Sequence, residues 1–163
     1  MRADPRLLAN LEHNLGPVVV AALNDPEVIE IILNSDGKLW IERLGQHMEV
    51  AGHMDAAQGR LVISLVASSL ETVVTAQKPI VEGELPLDGS RFEGSLPPIC
   101  PAPTFAIRKK ASKVFPLKSY ADKGIMPAHL LDVFYSALQA RENILVVGGT
   151  GSGKTTFVNA LIR

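Results

Sequence analysis

The chain has 163 residues and a mass of 17.5 kDa, 47% hydrophobic and 20% charged, which suits one domain or one and a half and excludes a disordered polymer. Sixteen Lys and Arg against 17 Asp and Glu leave a net charge of -1, so nothing in the overall charge favours nucleic acid or an anionic membrane, and no direct nucleic-acid binding is expected. Cys100 stands alone and His13, His47, His53 and His129 lack metal-ligand spacing, which excludes an internal disulfide and a zinc site and fits a reducing, cytoplasmic compartment.

The N-terminus lacks an apolar core of signal-peptide length, and no apolar run is long enough to span a bilayer. From Pro5 to Leu23, Leu7, Leu8, Leu11 and Leu15 are followed by Val18, Val19, Ala22 and Leu23, with Gly16-Pro17 between them, which predicts two short helices broken at that pair. Glu30 to Asn34, Leu39 to Arg43 and Met48 to Val50, separated by turn residues at Ser35-Asp36-Gly37 and Gly45, predict a three-stranded antiparallel meander. Asp55 and Gln58 resemble a capping box. Leu61, Val62, Leu65, Val66, Leu70, Val73 and Val74 then predict an amphipathic helix from Ala56 to Thr75 that covers one sheet face.

Strand patterns return at Ile80 to Leu85, at Ser90 to Leu96 after the Asp88-Gly89 turn, and at Thr104 to Lys109 after a loop with four prolines. About six strands with helices make an α+β unit over residues 1–110. Arg108, Lys109, Lys110, Lys113, Lys118 and Lys123, with Asp122 as the lone acid among them, suit a solvated linker, placed at 111–126. A helix follows from Pro127 to Arg141, then a short strand, Asn143 to Val147.

Gly148-Gly149-Thr150-Gly151-Ser152-Gly153-Lys154-Thr155 fits the phosphate-binding pattern G-x-x-x-x-G-K-[ST], between that apolar stretch and a helix bearing Phe157, Val158, Leu161 and Ile162. Glycines permit positive φ and bring backbone N–H groups close to phosphate oxygens, and the following helix adds its positive end. In this pattern Lys154 reaches the β- and γ-phosphates of ATP, the Thr155 hydroxyl coordinates Mg2+, and Thr156 lies on the α-phosphate side. A chance match anywhere in a chain of this composition has a probability of about 0.5%.

Hydrolysis needs more than this loop. An acidic Mg2+-holding residue and a group orienting the attacking water normally follow later, so residues 127–163 read as the truncated start of an α/β domain needing on the order of 100 further residues. The apolar side chains of Ile144 to Val147 should therefore dock on the first domain, pair with another copy, or stay disordered.

Asp25-Pro26-Glu27-Val28-Ile29-Glu30-Ile31, Asn34, Leu39-Trp40-Ile41-Glu42-Arg43, Leu85-Pro86-Leu87-Asp88-Gly89-Ser90-Arg91-Phe92, Leu96-Pro97-Pro98 and Ala106-Ile107-Arg108-Lys109, followed by the glycine-rich loop, occur in an order that resembles the secretion traffic ATPases. Among these the chain is most similar to the TrbB-type conjugal transfer ATPases of type IV secretion systems. The resemblance implies a PAS-like N-terminal domain, a linker, and a RecA-like P-loop domain, assembled as a hexamer that works with other secretion components, cytoplasmic and peripheral to the inner membrane. It also implies that Arg91 and Arg108 approach the terminal phosphates and join Lys154 in catalysis of ATP hydrolysis by the full-length protein, with this 163-residue piece inactive. The competing reading makes 1–110 an oligomerisation and partner-binding module for which nucleotide is a passive ligand. Trp40 suits a core or partner-facing position, and Cys100 no catalytic one.

Overall fold

The computed structural model describes residues 4–110, 115–149 and 152–162. It divides into two compact units, Met1–Lys110 and Ala111–Arg163, each with its own hydrophobic cluster.

The first unit opens with α1 (Pro5–Asn24), whose N-cap Asp4 accepts from the Arg6 N–H at 2.9 Å and whose first residue is proline. Gly16 breaks it with φ 75° and ψ 168°, a conformation glycine adopts without Cβ strain, and Pro17 restarts the helix, so the two-helix expectation matches a kinked pair. Three strands follow, β1 (Val28–Leu33), β2 (Lys38–Arg43) and β3 (Glu49–His53), then α2 (Ala56–Ser69), β4 (Ile80–Glu84), β5 (Arg91–Ser95) and β6 (Thr104–Arg108). They form one sheet in the order β3-β2-β1-β6-β5-β4 with every neighbouring pair antiparallel, so the last strand inserts beside the first.

Alternation along each strand sends Ile31, Leu33, Leu39, Ile41, Phe92, Phe105 and Ile107 to one face, where they meet Leu11, Leu15 and Val19 of α1 and Val62, Ile63 and Val66 of α2. Phe92 and Phe105 stack with ring centroids 5.7 Å apart. Each such side chain contributes roughly 1.5–3 kcal/mol by leaving water. Both helices therefore cover the same face, and the opposite face carries the polar half of the alternation.

Two expectations for α2 need correction. It ends at Ser69, six residues before Thr75: the Ser69 hydroxyl bonds the Val66 carbonyl at 2.6 Å, Glu71 turns to φ 55°, and the β-branched run Thr72 to Thr75 disfavours continuation. The capping box is half made. Asp55 accepts from the Gln58 N–H at 2.8 Å, but Gln58 Nε2 donates instead to the Asn14 carbonyl at 2.8 Å, an acceptor freed by the break at Gly16, and so ties α2 to α1.

Several residues carrying the family resemblance are structural. Asp25 caps the end of α1 and accepts from the Glu27 N–H at 2.9 Å and Arg43 Nε at 3.4 Å; these bonds, the Glu27 N–H first, hold its carboxyl below the usual range. Arg43 also pairs with Glu49. Lys109, on the buried-side register of β6, donates to the carbonyls of Asp25 at 2.6 Å and Ala22 at 3.2 Å, while its N–H bonds the Ile29 carbonyl at 2.9 Å. A single ammonium thus fastens the end of α1 to the strand that carries Arg108.

The second unit packs α3 (Leu117–Asp122), α4 (His129–Gln139) and α5 (Lys154–Ile162) around Leu117, Met126 and Leu161, with the Phe157 ring 5.3 Å from those of Tyr120 and Phe134. Part of the expected solvated connection is therefore helical, and Leu117 and Met126 within it are buried. The expected strand at Asn143 to Val147 is absent among the described residues. The stretch keeps a strand's alternation without a partner strand: Ile144 and Val146 pack into the cluster, while Leu145 and Val147 are 87% and 82% exposed. No helix is long and apolar enough to cross a membrane among the described residues.

Replacing Lys109 with Met keeps the aliphatic stem and removes both carbonyl contacts. Urea denaturation should show a loss of about 1.5–3 kcal/mol, the range for hydrogen bonds to charged groups. An unchanged midpoint would show that the α1 to β6 fastening carries no stability.

Candidate functional site

In the second unit the glycine-rich loop leads directly into α5, with Lys154 as the first helical residue. Gly153 precedes it at φ 82°, and its carbonyl accepts the first helical bond, from the Phe157 N–H at 2.9 Å. A Cβ at Gly148 would stand 2.6 Å from Ser152 Oγ, whereas Gly149 and Gly153 face open space. The Gly149 carbonyl gathers the donors of the loop: Ser152 Oγ at 2.9 Å, the Ser152 N–H at 3.4 Å, and the Lys154 ammonium. Lys154 has no carboxylate partner among the described residues. Thr155 is exposed and Thr156 half-buried in the first turn, where backbone N–H groups lack helical acceptors and the helix end is positive. Thr150 and Gly151 lie outside the described residues.

In the first unit, Arg91 opens β5 and Arg108 closes β6. The Asp88-Gly89-Ser90 turn sets Arg91 in place: Gly89 takes φ 74°, Asp88 accepts from the Ser90 N–H at 2.9 Å and hydroxyl at 2.6 Å, and the buried Ser90 returns its carbonyl to the Leu85 N–H at 2.7 Å. Arg91 pairs directly with Arg108 across the sheet, so both exposed side chains rise from the face opposite α1 and α2. The register extends this pair into a row. Glu42 on β2 opposes Glu30 on β1, Glu30 opposes Arg108, Arg108 opposes Arg91, and Arg91 opposes Glu84 on β4.

Two neighbouring pairs in the row are like-charged, which costs stability in a sheet. Glu84 is drawn away by Lys110 at 3.2 Å, and neither arginine has an ion-pair partner within bonding distance among the described residues. Burial pushes the Glu30 carboxyl above the usual glutamate range; the Glu42 charge and a carboxyl–carboxyl hydrogen bond with Glu42 add to that, and Arg108 opposes it. Glu30 and Glu42 were not singled out by residue type. The short Asn34 to Lys38 turn, which fixes the β1 to β2 register, was the available signal for that pair.

Each group can hold an anion. The loop offers backbone donors, an ammonium and space at two glycines; the sheet offers two guanidiniums that together bring two positive charges and planar donor edges suited to phosphate oxygens. Among the described residues no cluster of three or more His, Cys, Asp and Glu could hold a metal ion.

Residues 12–163 match the family model described as Type II/IV secretion system protein. Over 163 residues the chain is 46% identical to the probable conjugal transfer protein TrbB of Sinorhizobium fredii, covering all of this chain and 50% of that protein. It is likewise 46% identical to the conjugal transfer protein TrbB of Rhizobium radiobacter over 162 residues, 99% of this chain and 50% of that one. Its fold is similar to the crystal structure of the VirB11 ATPase from the Brucella suis type IV secretion system in complex with sulphate, with a TM-score of 0.63 and 23% identity over 96% of this chain and 54% of that one. The chain thus spans about half the length of the curated relatives it matches.

The acid pair gives a pH test. Because burial, with the Glu42 charge, raises the Glu30 carboxyl in the folded state, that state holds the extra proton, and stability falls as pH rises from about 4.5 through the raised folded value. Glu42→Gln removes the like charge, so it should recover about 0.2–1 kcal/mol at pH 7 and nothing at pH 4. Equal gains at both pH values in denaturant titrations would show that the two carboxyls do not interact.

Proposed function

The chain belongs to the Type II/IV secretion system protein family, and from that premise we propose that it is the nucleotide-binding front part of an ATPase that powers conjugal transfer through a type IV secretion system. One observation carries the nucleotide reading: the G-x-x-x-x-G-K-T run sets its Lys154 at the first position of α5, behind a glycine at positive φ. In this reading the backbone of Gly148, Gly149, Thr150, Gly151, Ser152 and Gly153 wraps the β-phosphate of ATP, and Lys154 leaves the Gly149 carbonyl for the β- and γ-oxygens. Thr155 holds Mg2+, and Thr156 stands beside the α-phosphate. The ion, when bound, neutralises charge on the bridging oxygens.

Arg91 and Arg108 take the terminal phosphate from the sheet side. The mutual repulsion of two adjacent guanidiniums is what a dianion would relieve, and a positioned arginine contributes about 10³–10⁵ in rate to phosphoryl transfer in other nucleotidases. Residues 1–110 then serve as a PAS-like domain and 127–163 as the start of a RecA-like domain. The full-length protein works as a hexamer with other secretion components, in the cytoplasm and peripheral to the inner membrane. The loop and the arginines alone supply neither a carboxylate for Mg2+ nor a group that orients water, and in this reading the 163-residue piece by itself turns over no ATP.

Lys154→Ala in the full-length protein should abolish ATP turnover and DNA transfer while light scattering shows the same assembly as wild type. Turnover at the wild-type rate would refute the assignment of the loop. Turnover by the 163-residue chain alone would refute the division of labour.

A further inference from the structure

Glu30 is absorbed by neither the loop nor the arginine pair, yet it stands in the charged row between Glu42 and Arg108. It stands directly across β1 and β6 from Arg108, on the side opposite Arg91. Arg108 therefore has one attractive and one repulsive neighbour, and the Glu30 charge acts on the guanidinium across the strand pair without a bonded ion pair. We propose that Glu30 is the electrostatic counter-charge of Arg108 across the strand pair, a positioning residue that biases the guanidinium on the open sheet face and competes for it with a bound phosphate-like dianion. The proposal rests on the reading of Arg91 and Arg108 as phosphate ligands and adds a competitor to it.

The competition has a definite sign. An ionised Glu30 attracts Arg108 and repels an incoming dianion, so it weakens binding on both counts; a protonated Glu30 does neither. The groups facing it are few. Glu42 on β2 adds negative charge and shares a hydrogen bond, Arg108 on β6 adds positive charge, and Arg91 lies one strand further, with Glu84 and Lys110 paired beyond it. The helices of this unit lie on the other face and contribute no charge to the row. Next along β1 on this face stands Ile32, which does not titrate. Glu30 is itself half-buried, and burial raises its carboxyl above the usual glutamate range.

Sulfate is a suitable probe, because it is a tetrahedral dianion that does not titrate across this range. Carbon-detected NMR of the 163-residue chain follows the Glu30 carboxyl, and the Arg Nε–H signals report sulfate at Arg91 and Arg108 separately from sulfate at the loop. Sulfate should move the Glu30 midpoint upward, because its stabilising partner has been taken. In Arg108→Gln the midpoint should already be high and sulfate should leave it unmoved. Glu30→Gln should bind sulfate at the arginines about 1.5- to 5-fold more tightly at pH 7, the worth of an exposed ion pair, and lose the pH dependence that wild type shows through the Glu30 midpoint. Glu42→Gln, which leaves both partners in place, should shift that dependence to lower pH.

A Glu30 midpoint indifferent to sulfate, or a wild-type pH profile in Glu30→Gln, overturns the counter-charge role even where Arg91→Gln and Arg108→Gln weaken binding. If those arginine variants bind sulfate at the sheet as wild type does, or if no sulfate reaches the arginine signals at all, the phosphate-ligand reading falls and the counter-charge role with it.

Discussion

The antiparallel pairing of β1 with β6 is the constraint on which the first unit depends. It joins two hairpin-built halves, β1-β2-β3 and β4-β5-β6, into one sheet, and it does so between strands some 70 residues apart in the chain. Closing so long a loop costs only slightly more than closing a short one, because the entropy grows with the logarithm of its length. Ile31 and Ile107, opposed in that pairing, are both fully buried beneath α1 and α2 and supply part of the compensation. Lys109 then locks the same strand to the end of α1. Once this register is set, every residue of β6 has its face assigned. A slip of one position would bury Arg108 and expose Ile107.

The same register builds the charged row, and here stability and chemistry diverge. A sheet selected for stability alone would alternate signs across its strands, whereas this one places acid beside acid and arginine beside arginine, with opposite charges meeting at Glu30 and Arg108 and at Arg91 and Glu84, the last drawn off by Lys110. Local rules broken without an evident structural gain point to sites under another demand. The core beneath offsets the cost: Phe92 and Ile107, the neighbours of Arg91 and Arg108 along their strands, are wholly buried.

Much of this was legible from residue pattern, and the failures have physical causes. The six strands, the break at Gly16 and the start of α2 follow from alternation, turn residues and an Asp cap, all of which are local. The end of α2 was not legible by periodicity, because Val73 and Val74 continue the apolar spacing while Ser69 and Glu71 end the helix through backbone bonds. Gln58 satisfied the capping pattern but found a better acceptor 44 residues away, at Asn14. Arg91 and Arg108 were named through family resemblance. Their adjacency was hidden, because the eight-residue proline-rich loop between β5 and β6 does not fix a register. The strand expected at Asn143 to Val147 illustrates a different limit. Its residues have a strand's alternation, but a strand is a relation with a neighbour, and among the described residues none pairs with it.

The cations of this chain sort by what holds them, and the sorting separates structure from chemistry. Arg43 is committed to Asp25 and Glu49, Lys38 to Asp36, Lys110 to Glu84, and Lys109 to two carbonyls at the end of α1. Removing any of these leaves an acceptor without its donor. Among the described residues Lys154 is held only by the Gly149 carbonyl, a neutral acceptor within its own loop that also receives Ser152, so its departure strands no buried group there. Arg91 and Arg108 have no bonded partner among the described residues, and each crowds the other. A neutral acceptor that other donors already satisfy, and a repulsive neighbour, are two ways of keeping a positive charge cheap to move. An incoming phosphate displaces a neutral acceptor at the loop and, at the sheet, competes with the unbonded charge of Glu30 rather than with an ion pair.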